Sequence, residues 1–532
     1  MELTVHLLPE QENDTGEPQV VIHLEKAPPG FQKTYPLAKY EEVCTALTRA
    51  RVKFCRVPRD LIHFFRSRAH SHPVDETRLP TLQTWTCMRN YQKTALRRMF
   101  ACGGRVLNMS EMGTGKTCAT VSFLEYWKGT DALVVCPASL LTNWQQEIFK
   151  FSGLDSSIVR KRSDVLHDGI NIMSYNIASR LPTSKVWGTV VLDESHYIKN
   201  ATSKRSKHLL KITKRASRVV LLSGTPLSKS KDLFTQLKAL YPDTFQTFSR
   251  LNTTFGRQAP NSDRYFFGDR YCNPIIQYLP GGRKTYLFNG NTKTEELHAI
   301  TSVIGVRILK KNVLSLPAKV RKSVIIHEMD AKVTRQELLR IQKLRDEKGK
   351  KLADASLTNL VLKHSRLKLP FVAAHVRTLF QAGLHTKTLF FAHHRTYVQM
   401  LQEEATNAGI PAFIINGQTP TQKRQQYIDE FQQTSKFQVG ILSITACGVG
   451  LNFSFVSDIV FTELCWSDSL MIQAEDRCHR FGQTHPVSIR YLMVAHSMDD
   501  VIWRSICGKQ YNSKRTMDNV HSRPTFTNTS SC

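Results

Sequence analysis

The run Ser110-Glu-Met-Gly-Thr-Gly-Lys-Thr117 decides the fold of this chain. The apolar run Arg105-Val-Leu-Asn-Met109 precedes it, and from Thr117 to Trp127 apolar residues follow at helical spacing. Gly113 and Gly115 allow the backbone to curl, so that its N–H groups converge on one centre at the start of a helix. The pattern predicts a strand, a phosphate-binding loop and a helix, in that order. We call residues 110–117 the phosphate loop.

The side chains of the phosphate loop fit the same prediction. Lys116 can reach the β- and γ-phosphates of a nucleotide, and the hydroxyl of Thr117 can hold Mg²⁺. The strict pattern has Gly at its first position, where this chain has Ser110. A glycine-rich turn that binds nothing is therefore the competing interpretation.

A second element of the site follows downstream. Thr189-Val-Val-Leu192 predicts a buried strand, and Asp193-Glu-Ser-His196, the DESH box, comes directly after it. Mg²⁺ needs a second anchor at a strand's carboxyl end, a role that suits Asp193, and Glu194 is placed to orient or deprotonate the attacking water. An acidic pair after a strand is by itself more often a helix N-cap and first turn. Its occurrence after a phosphate loop favours the catalytic interpretation.

The composition points to a large, basic, multidomain protein. The chain has 532 residues and a formal net charge of +29, which favours a polyanionic partner and two or three domains. An anionic membrane is the rival partner, but no clear basic amphipathic helix, spanning segment or basic n-region is found. The twelve cysteines include no C-x-x-C pair, which predicts reduced thiols, an intracellular setting and no zinc site.

Two regions show alternating strands and helices, which is typical of parallel sheets covered by helices. The first region has predicted strands at 105–109, 132–136, 170–173, 189–192 and 219–222. The second has them at 388–391, 412–415, 439–442, 459–461 and 487–494. In the amino-terminal region, 20–24 predicts a strand and 40–50 a helix.

The second region lacks a phosphate loop and offers cationic groups instead. In the run Gln473-Ala-Glu-Asp-Arg-Cys-His-Arg-Phe-Gly-Gln483, Arg477 and Arg480 are three residues apart, which predicts one shared helix face. Two guanidiniums suit the oxygens of a γ-phosphate in the transition state. The alternative is a surface helix in which Glu475 and Asp476 pair with these arginines.

These motifs resemble those of the SWI/SNF-related helicase-like ATPases of helicase superfamily two, and most of all the annealing-helicase branch. The resemblance covers about residues 85–505 and rests on an ordered set of motifs. They are Gln92, 110–117, 135–139 with Trp144, 174–176, 193–196, 222–226, 307–310 with 316–319, 390–394, 414–417, 442–446 with 450–452, and 473–483. Departures from the pattern include Ser110, Ala446-Cys-Gly448 and Trp466-Ser467, and none removes a catalytic group.

The resemblance implies a role for each matching residue. Lys116, Asp193, Glu194, Arg477 and Arg480 are the expected catalytic groups. The expected ATP-binding residues are Gln92, which reads adenine, with Gly113, Thr114, Gly115, Lys116, Thr117 and Gln473, and the expected Mg²⁺ ligands are Thr117 and Asp193. Ser139, Ser174 and Thr445 are expected to touch the nucleic-acid backbone, and Thr225 to couple nucleotide to DNA.

The expected fold is α/β, with two RecA-like parallel-sheet lobes, a helical insertion between them and a short mixed amino-terminal segment. The expected boundaries are an accessory segment at 1–80, resembling a reduced DNA-structure-reading domain; lobe 1 at 81–240; the insertion and linker at 241–370; lobe 2 at 371–510; and a disordered tail at 511–532.

The function implied by the resemblance is that of an ATP-dependent DNA translocase with ATP and Mg²⁺ as cofactors. It would act on duplex or forked DNA or on single/double-strand junctions, in strand annealing or fork remodelling during DNA replication and repair, in the nucleus or a bacterial nucleoid. The alternatives are a chromatin-remodelling ATPase and a non-catalytic DNA-binding scaffold. An RNA helicase of the DEAD-box kind would carry D-E-A-D and S-A-T, which this chain lacks.

Two basic clusters allow two interpretations each. One lies between Lys204 and Arg218, after the DESH box, and the other between Lys332 and Lys351. Each is either a solvated helix face or a surface for DNA phosphates.

Overall fold

The fold is taken from a computed structural model of the chain. It describes residues 3–9, 20–25, 27–28, 30–52, 54–68, 74–249, 266–278, 284–348, 350–384, 386–445, 451–520 and 527–530. The chain divides into two compact units. The first unit contains residues 1–277, 285–313 and 512–521, and the second contains 278–284, 314–511 and 522–532.

The first unit is built on a parallel sheet of seven strands, in the order β13-β5-β10-β9-β6-β8-β7. Its strands are β5 (Arg105–Asn108), β6 (Ala132–Cys136), β7 (Ser156–Val159), β8 (Ile170–Ser174), β9 (Thr189–Asp193), β10 (Arg218–Leu222) and β13 (Gly305–Val306). Successive residues of a strand face opposite sides of the sheet. Leu133 packs in the buried apolar cluster on one side, and Val134 packs in the cluster on the other side. Because both faces are covered, these strands read as continuous apolar runs.

Helices cover the first sheet and supply its connections. They are α3 (Asn90–Ala101), α4 (Lys116–Tyr126), α5 (Leu141–Ser152), α6 (Tyr175–Ala178), α7 (Lys204–Arg215), α8 (Phe234–Leu240), α9 (Phe267–Tyr271), α10 (Thr294–Ile304) and α11 (Lys310–Val313). A two-stranded ribbon, β11 (Ile275–Tyr278) with β12 (Lys284–Leu287), interrupts this series.

The amino-terminal region forms a four-stranded sheet of order β3-β2-β1-β4. Its elements are β1 (Leu3–Pro9), β2 (Val20–Leu24), β3 (Thr34–Pro36), α1 (Tyr40–Arg49), β4 (Phe54–Cys55) and α2 (Arg59–Arg68). The strand expected at 20–24 and the helix expected at 40–50 are present. Side chains such as Val5, Leu47 and Phe64 belong to the same buried cluster as Leu297 of α10, so this sheet shares a core with the first unit.

The second unit is built on another parallel sheet of seven strands, in the order β16-β17-β15-β18-β19-β14-β20. The strands are β14 (Lys319–Glu328), β15 (Thr388–Ala392), β16 (Ala412–Ile415), β17 (Val439–Ser443), β18 (Asp458–Phe461), β19 (Val487–Ala495) and β20 (Thr527–Ser530). The helices are α12 (Ala331–Lys348), α13 (Lys350–Gln381), α14 (Arg395–Asn407), α15 (Thr421–Gln433), α16 (Asp468–Glu475) and α17 (Met498–Asp518).

The architecture is therefore α/β with two parallel-sheet lobes, as expected. The segment expected to be a helical insertion differs, because it contributes a strand to each sheet. β13 pairs with β5 and β14 pairs with β19. The structure accordingly places the start of the second unit at Leu314, whereas the expected boundary at 371 falls inside α13.

The carboxyl-terminal segment also differs from the expected disordered tail. Helix α17 runs on to Asp518, and β20 pairs with β14. Tertiary contacts stabilise the polar end of α17: the backbone carbonyl of Thr516 lies 3.1 Å from His298 Nδ1, and Asp518 accepts hydrogen bonds from Arg307.

Candidate nucleotide-binding site

The phosphate loop connects β5 to α4 with the backbone that its glycines require. Gly113 and Gly115 have φ of 81° and 82°, in the left-handed region where a Cβ is unfavourable. Helix α4 begins at Lys116, so its free N–H groups point into the loop. Lys116 Nζ donates to the carbonyls of Ser110, at 2.8 Å, and Glu111, at 3.3 Å. The lysine thus lies folded over the loop, and a phosphate would replace these carbonyl acceptors.

Gln92 contacts the phosphate loop directly. Its Nε2 donates to the carbonyl of Thr114 at 3.3 Å, while its Oε1 accepts the backbone N–H of Arg89 at 2.9 Å and caps helix α3. A Cβ built on Gly115 would lie 2.0 Å from Gln92 Nε2. The residue expected to read adenine is therefore also packed against the loop.

The segment around β13 lies along the entrance to the phosphate loop. Met109 N donates to Val306 O at 2.8 Å, and Glu111 N donates to Ile308 O at 2.9 Å. The Ser110 hydroxyl accepts the N–H of Ile308 at 3.3 Å and is almost fully buried. The serine at the first loop position thus has a local role that glycine could not fill.

Asp193 lies at the carboxyl end of β9, and three neighbours hold it. The indole Nε1 of Trp144 donates to Oδ2 at 2.9 Å, the N–H of Glu194 donates to Oδ1 at 2.9 Å, and the Tyr175 hydroxyl donates to the Asp193 carbonyl at 2.7 Å. Burial raises the pKa of Asp193, the negative charge of Glu194 raises it further, and the Trp144 hydrogen bond opposes both. A cation bound beside this carboxylate would therefore stabilise its ionised form.

Glu194 has φ of 52°, a left-handed backbone that is uncommon for a glutamate. Its Oε2 lies 3.2 Å from His196 Nδ1. Burial lowers the pKa of Lys116, and the carboxylates of Glu194 and Asp193 oppose that shift. The lysine of the phosphate loop and both carboxylates of the DESH box therefore interact electrostatically within one site.

The DESH box is connected to the run Ser223-Gly-Thr-Pro226 by two hydrogen-bond paths. In one, His196 Nδ1 lies 3.2 Å from Ser223 Oγ. In the other, Ser195 Oγ donates to Gln236 Oε1 at 2.7 Å, and Gln236 Nε2 donates to the Pro226 carbonyl at 2.7 Å.

The same run also reaches the phosphate loop, because a Cβ built on Gly224 would lie 3.6 Å from Lys116 Nζ. The hydroxyl of Thr225 is buried and has no hydrogen-bond partner among the described residues. Thr225 thus lies in a run that touches both halves of the site.

The donors present suit Mg²⁺. Thr117, half-buried in the first turn of α4, offers a hydroxyl, and Asp193 offers a carboxylate whose pKa is raised by burial and by the charge of Glu194. Mg²⁺ prefers hard oxygen ligands and keeps several waters and substrate phosphates, so two protein oxygens are a sufficient set. Within the described ranges, no group of three or more His, Cys, Asp or Glu side chains is placed to hold a metal ion.

The arginine motif of the second unit departs from expectation. Helix α16 ends at Glu475, so Arg477 and Arg480 lie on the turns that follow it and do not share a helix face. Beyond the helix end, the Arg477 carbonyl accepts the N–H of Phe453 at 3.0 Å. Gln473 and Arg477 are buried, and Arg480 is partly exposed.

The acidic neighbours of these arginines bind strand β14. Fully buried Glu475 accepts hydrogen bonds from Arg321 and lies 3.0 Å from Lys319 Nζ, which also contacts Asp476 at 3.0 Å. Burial alone would raise the pKa of Glu475, but the charges of Arg321 and Lys319 outweigh it and lower that pKa to about 2. This ion-pair network fixes the end of α16 against the sheet.

The residues expected to touch DNA lie in different surroundings. Ser139 is exposed in the turn after β6, and Thr445 is exposed with its hydroxyl 2.9 Å from that of Ser443. Ser174 is buried, and its hydroxyl caps α6 by accepting the N–H of Ile177 at 3.5 Å. Residues 446–450, which carry the second half of the Thr445 motif, lie outside the described part of the chain.

Several groups that build this site have no chemical role that the sequence predicts. Trp144, Tyr175 and Arg307 lie within the motifs without a predicted role, and Gln236 lies outside them. Their contacts join residues far apart in the chain, which no local pattern reports. A tryptophan on the helix after β6 was the single available signal for the Asp193 contact.

Comparisons with known proteins show the family to which the chain belongs. The model of the SNF2-related domain matches residues 91–364, and that of the helicase conserved C-terminal domain matches 372–482. The chain therefore belongs to the SNF2-related family of helicase superfamily two.

Among curated proteins, the chain is similar to the SWI/SNF-related matrix-associated actin-dependent regulator of chromatin subfamily A-like protein 1 of Xenopus tropicalis, with 31% identity over 78% of this chain and 43% of that protein. The Caenorhabditis elegans homolog of that protein is 29% identical over 90% of this chain and 70% of its own length. The DNA annealing helicase and endonuclease ZRANB3 of Mus musculus is 29% identical over 80% of this chain and 40% of its own length. The chain thus spans about two fifths of the Xenopus and mouse relatives.

Among solved structures, the Sulfolobus solfataricus SWI2/SNF2 ATPase core in complex with dsDNA is 21% identical, with a TM-score of 0.38, over 80% of this chain and 93% of that one. Within the described residues, no helix is long and apolar enough to cross a bilayer.

Proposed function

We propose that this chain is a DNA-dependent ATPase that moves along duplex or forked DNA and rewinds or remodels strands in DNA replication and repair. The observation that supports the proposal is that the phosphate loop follows β5 and Asp193 ends β9, the two strands that flank β10 in one parallel sheet. The printed names of the relatives, a regulator of chromatin and a DNA annealing helicase, support DNA as the substrate and the nucleus or a nucleoid as the location.

The proposed chemistry assigns each group one task. Lys116 and the N–H groups of the loop would bind the β- and γ-phosphates, and Thr117 and Asp193 would hold Mg²⁺, which would supply positive charge against the phosphates. Glu194 accepts the proton of the attacking water. Gln92, Gly113, Thr114, Gly115 and Gln473 complete the nucleotide site in this proposal.

Arg477 and Arg480 are proposed to stabilise the charge that develops on the transferred phosphate. An arginine in this role is worth roughly a thousandfold or more in rate. Ser139, Ser174 and Thr445 are proposed to contact the DNA backbone. Thr225 is proposed to couple both events, which its position between the DESH box and the phosphate loop supports.

The direct test is an ATPase assay with no nucleic acid, single-stranded DNA, duplex DNA, forked DNA and RNA as separate activators. Lys116→Ala should weaken nucleotide binding or turnover, and Glu194→Gln should keep binding but lose turnover. Arg480→Ala should lower kcat far more than it weakens ATP binding. Near-normal turnover in Glu194→Gln would contradict the assignment, and duplex-independent turnover would contradict DNA as the activator.

A second assay separates rewinding from the alternative of chromatin remodelling. A plasmid bubble held open by a single-strand-binding protein should close when ATP is added, because stacking favours the rewound state by about 1.4 kcal/mol per step. Closure should be lost in Lys116→Ala. Failure to close the bubble, together with ATP-dependent sliding of nucleosomes, would support the remodelling alternative.

A further inference from the structure

Helix α7 presents a row of lysines to solvent. Lys204, Lys207, Lys211 and Lys214 are all exposed, and they are spaced by three, four and three residues along the helix. At 3.6 residues per turn they fall within an arc of about 80° and extend over about 15 Å. We call these four residues the lysine stripe.

The opposite face of the helix anchors it firmly. Ser206, Leu209, Ile212 and Thr213 are buried against the first unit. The N-cap Ser203 accepts the N–H of Ser206 at 3.2 Å. The orientation of the lysine stripe is therefore fixed by the core, and the helix cannot turn these lysines away from solvent.

The charge of the stripe has no counterpart nearby. The α7 sequence KRSKHLLKITKR contains no acidic residue, and neither do α6, α8 and the turn Ser195–Ile198, the helical segments that pack most closely against it. None of the four ammonium groups has a carboxylate within ion-pair distance among the described residues. The ammonium of Lys214 even helps to lower the pKa of Lys238, after burial, by like-charge repulsion. This concentration of positive charge costs free energy that a bound polyanion would recover.

The stripe begins beside a run expected to touch DNA. Arg205 Nη2 donates to Asn176 Oδ1 at 3.1 Å, and its guanidinium lies over the rings of Tyr175, at 5.7 Å, and Tyr197, at 5.6 Å. Arg205 thus ties the first turn of α7 to Ser174-Tyr-Asn176. A nucleic acid on that run would meet the lysine stripe as the adjacent surface.

We propose that the lysine stripe of α7 is a grip for the phosphates of duplex DNA, additional to the contacts of Ser139, Ser174 and Thr445. The proposal rests on the proposed function, since it takes DNA as the partner. Duplex DNA carries about one charge per 1.7 Å of axis, so a 15 Å row faces several phosphates. A membrane surface fits less well, because an interfacial helix needs large apolar residues beside its lysines and the apolar residues of α7 face inward.

The test replaces all four lysines by glutamine, which keeps helix propensity and removes the charge. A matched control variant replaces four exposed lysines scattered over the chain, Lys128, Lys161, Lys311 and Lys423, by glutamine. Duplex affinity is measured between about 50 and 200 mM salt. The salt slope is the slope of log affinity against log salt concentration, and each lost phosphate contact lowers its magnitude by about 0.9. In the stripe variant that magnitude should therefore fall by about 3–4. Raising the salt from about 50 to 200 mM weakens duplex binding by both proteins. The fold-loss of affinity should be smaller in the stripe variant than in the unsubstituted chain, by a factor on the order of a hundred.

ATPase activity without DNA should be unchanged in the stripe variant, and kcat at saturating duplex should stay within about twofold, because no stripe residue belongs to the nucleotide site. Replacing the same four lysines by arginine should restore the slope. A slope change no larger than in the control variant would overturn the inference while leaving the proposed function intact. Loss of binding to anionic vesicles with an unchanged duplex slope would also overturn it. Absence of duplex binding by the unsubstituted chain would overturn both proposals.

Discussion

The indole N–H of Trp144 donates to the Asp193 carboxylate across 2.9 Å. Trp144 lies on α5, the helix that follows β6, and Asp193 lies at the end of β9, which pairs with β6. The bond therefore joins that helix to the proposed Mg²⁺ ligand on the neighbouring strand. The same bond opposes the rise that burial and Glu194 impose on the pKa of Asp193. Trp144 therefore fixes the position of the Asp193 carboxylate and favours its ionised form.

Trp144→Phe should impair Mg²⁺-dependent turnover most strongly at acid pH. Asp193 has a raised pKa, so falling pH protonates it and proton competes with Mg²⁺. Loss of the indole donor raises that pKa further, and the acid limb of the kcat/KM profile should move to higher pH. A hydrogen bond to a charged group is worth about 1.5–3 kcal/mol, so kcat/KM near neutral pH should fall roughly tenfold or more.

Trp187→Phe is the matched control for that variant. Trp187 is also buried in the first unit, but its Nε1 has no hydrogen-bond partner among the described residues. It should change stability without moving the pH profile. An identical acid limb in Trp144→Phe and Trp187→Phe would show that the indole bond does not set the ionisation of Asp193.

Gly115→Ala should disturb the phosphate loop through Gln92. The new Cβ would lie 2.0 Å from Gln92 Nε2, which would be forced from the Thr114 carbonyl. The positive φ adds about 1–2 kcal/mol of strain. ATP affinity, measured by equilibrium binding, should fall at least about tenfold.

Two further variants separate the clash from the strain. Gly129→Ala has a similar φ of 91° but no atom within 4 Å of the new Cβ, so it should lose stability only. The double variant Gln92→Ala/Gly115→Ala should bind ATP no worse than Gly115→Ala, because the single variant already displaces Gln92 and the double variant removes the clash. Strictly additive losses in the double variant would count against the contact.

Glu475→Gln should destabilise the second unit. The glutamate is fully buried beside Lys319 and Arg321, and removing its charge takes a carboxylate from Arg321 and leaves Lys319 with Asp476, at a cost of up to about 3–5 kcal/mol. Chemical denaturation of the full chain measures this loss. Glu430→Gln, which breaks the exposed pair with Lys436, is the control and should change little.

The same network predicts an acid dependence of stability. Because the folded pKa of Glu475 lies at about 2, below its unfolded value, its stabilising contribution is complete above the unfolded pKa. It is lost as pH falls toward 2. The free energy of unfolding should therefore fall less steeply between about pH 5 and 2 in Glu475→Gln than in the unsubstituted chain. Equal slopes would contradict the assignment of this low pKa.

The strands could be predicted from sequence because both sheets are parallel and covered on both faces. Runs such as Ala132–Cys136 and Val439–Ser443 are continuous in apolar residues, and they appear within one residue of their expected bounds. Lys116, Asp193 and Glu194 could be singled out as candidate site residues because each motif is local. The remaining features depend on distant pairing: β14 alternates in burial and is recognisable as a strand only beside β19.

The arginine motif shows the same limit. Spacing of three residues predicts one helix face, yet α16 stops at Glu475. Past that end, the Arg477 carbonyl accepts a hydrogen bond from the N–H of Phe453, 24 positions away. Local periodicity contains no information about that bond.

The pair of Arg307 with Asp518 gives the last prediction. Arg307 Nε donates to Asp518 Oδ1 at 2.7 Å, and its Nη1 donates to the Met109 carbonyl at the entrance to the phosphate loop. Both side chains are largely buried, with 17% and 10% exposed. A chain ended after Tyr511 should therefore lose about 3 kcal/mol or more of stability, because Arg307 keeps a buried charge without its partner. Its ATP affinity should fall as well, since the same guanidinium supports the loop.

A chain ended after Val520 is the control, because it keeps all of α17 and loses only the pairing of β20 with β14. It should match the full chain in ATP affinity and be more stable than the chain ended after Tyr511. Asp518→Asn in the full chain should reproduce most of the loss and so assign it to the ion pair. Thermal unfolding reports the stability, and equilibrium binding of a fluorescent ATP analogue reports the loop. If the chains ended after Tyr511 and after Val520 behave alike, residues 512–518 do not support the phosphate loop. The interpretation of this segment as a dispensable tail would then be the better one.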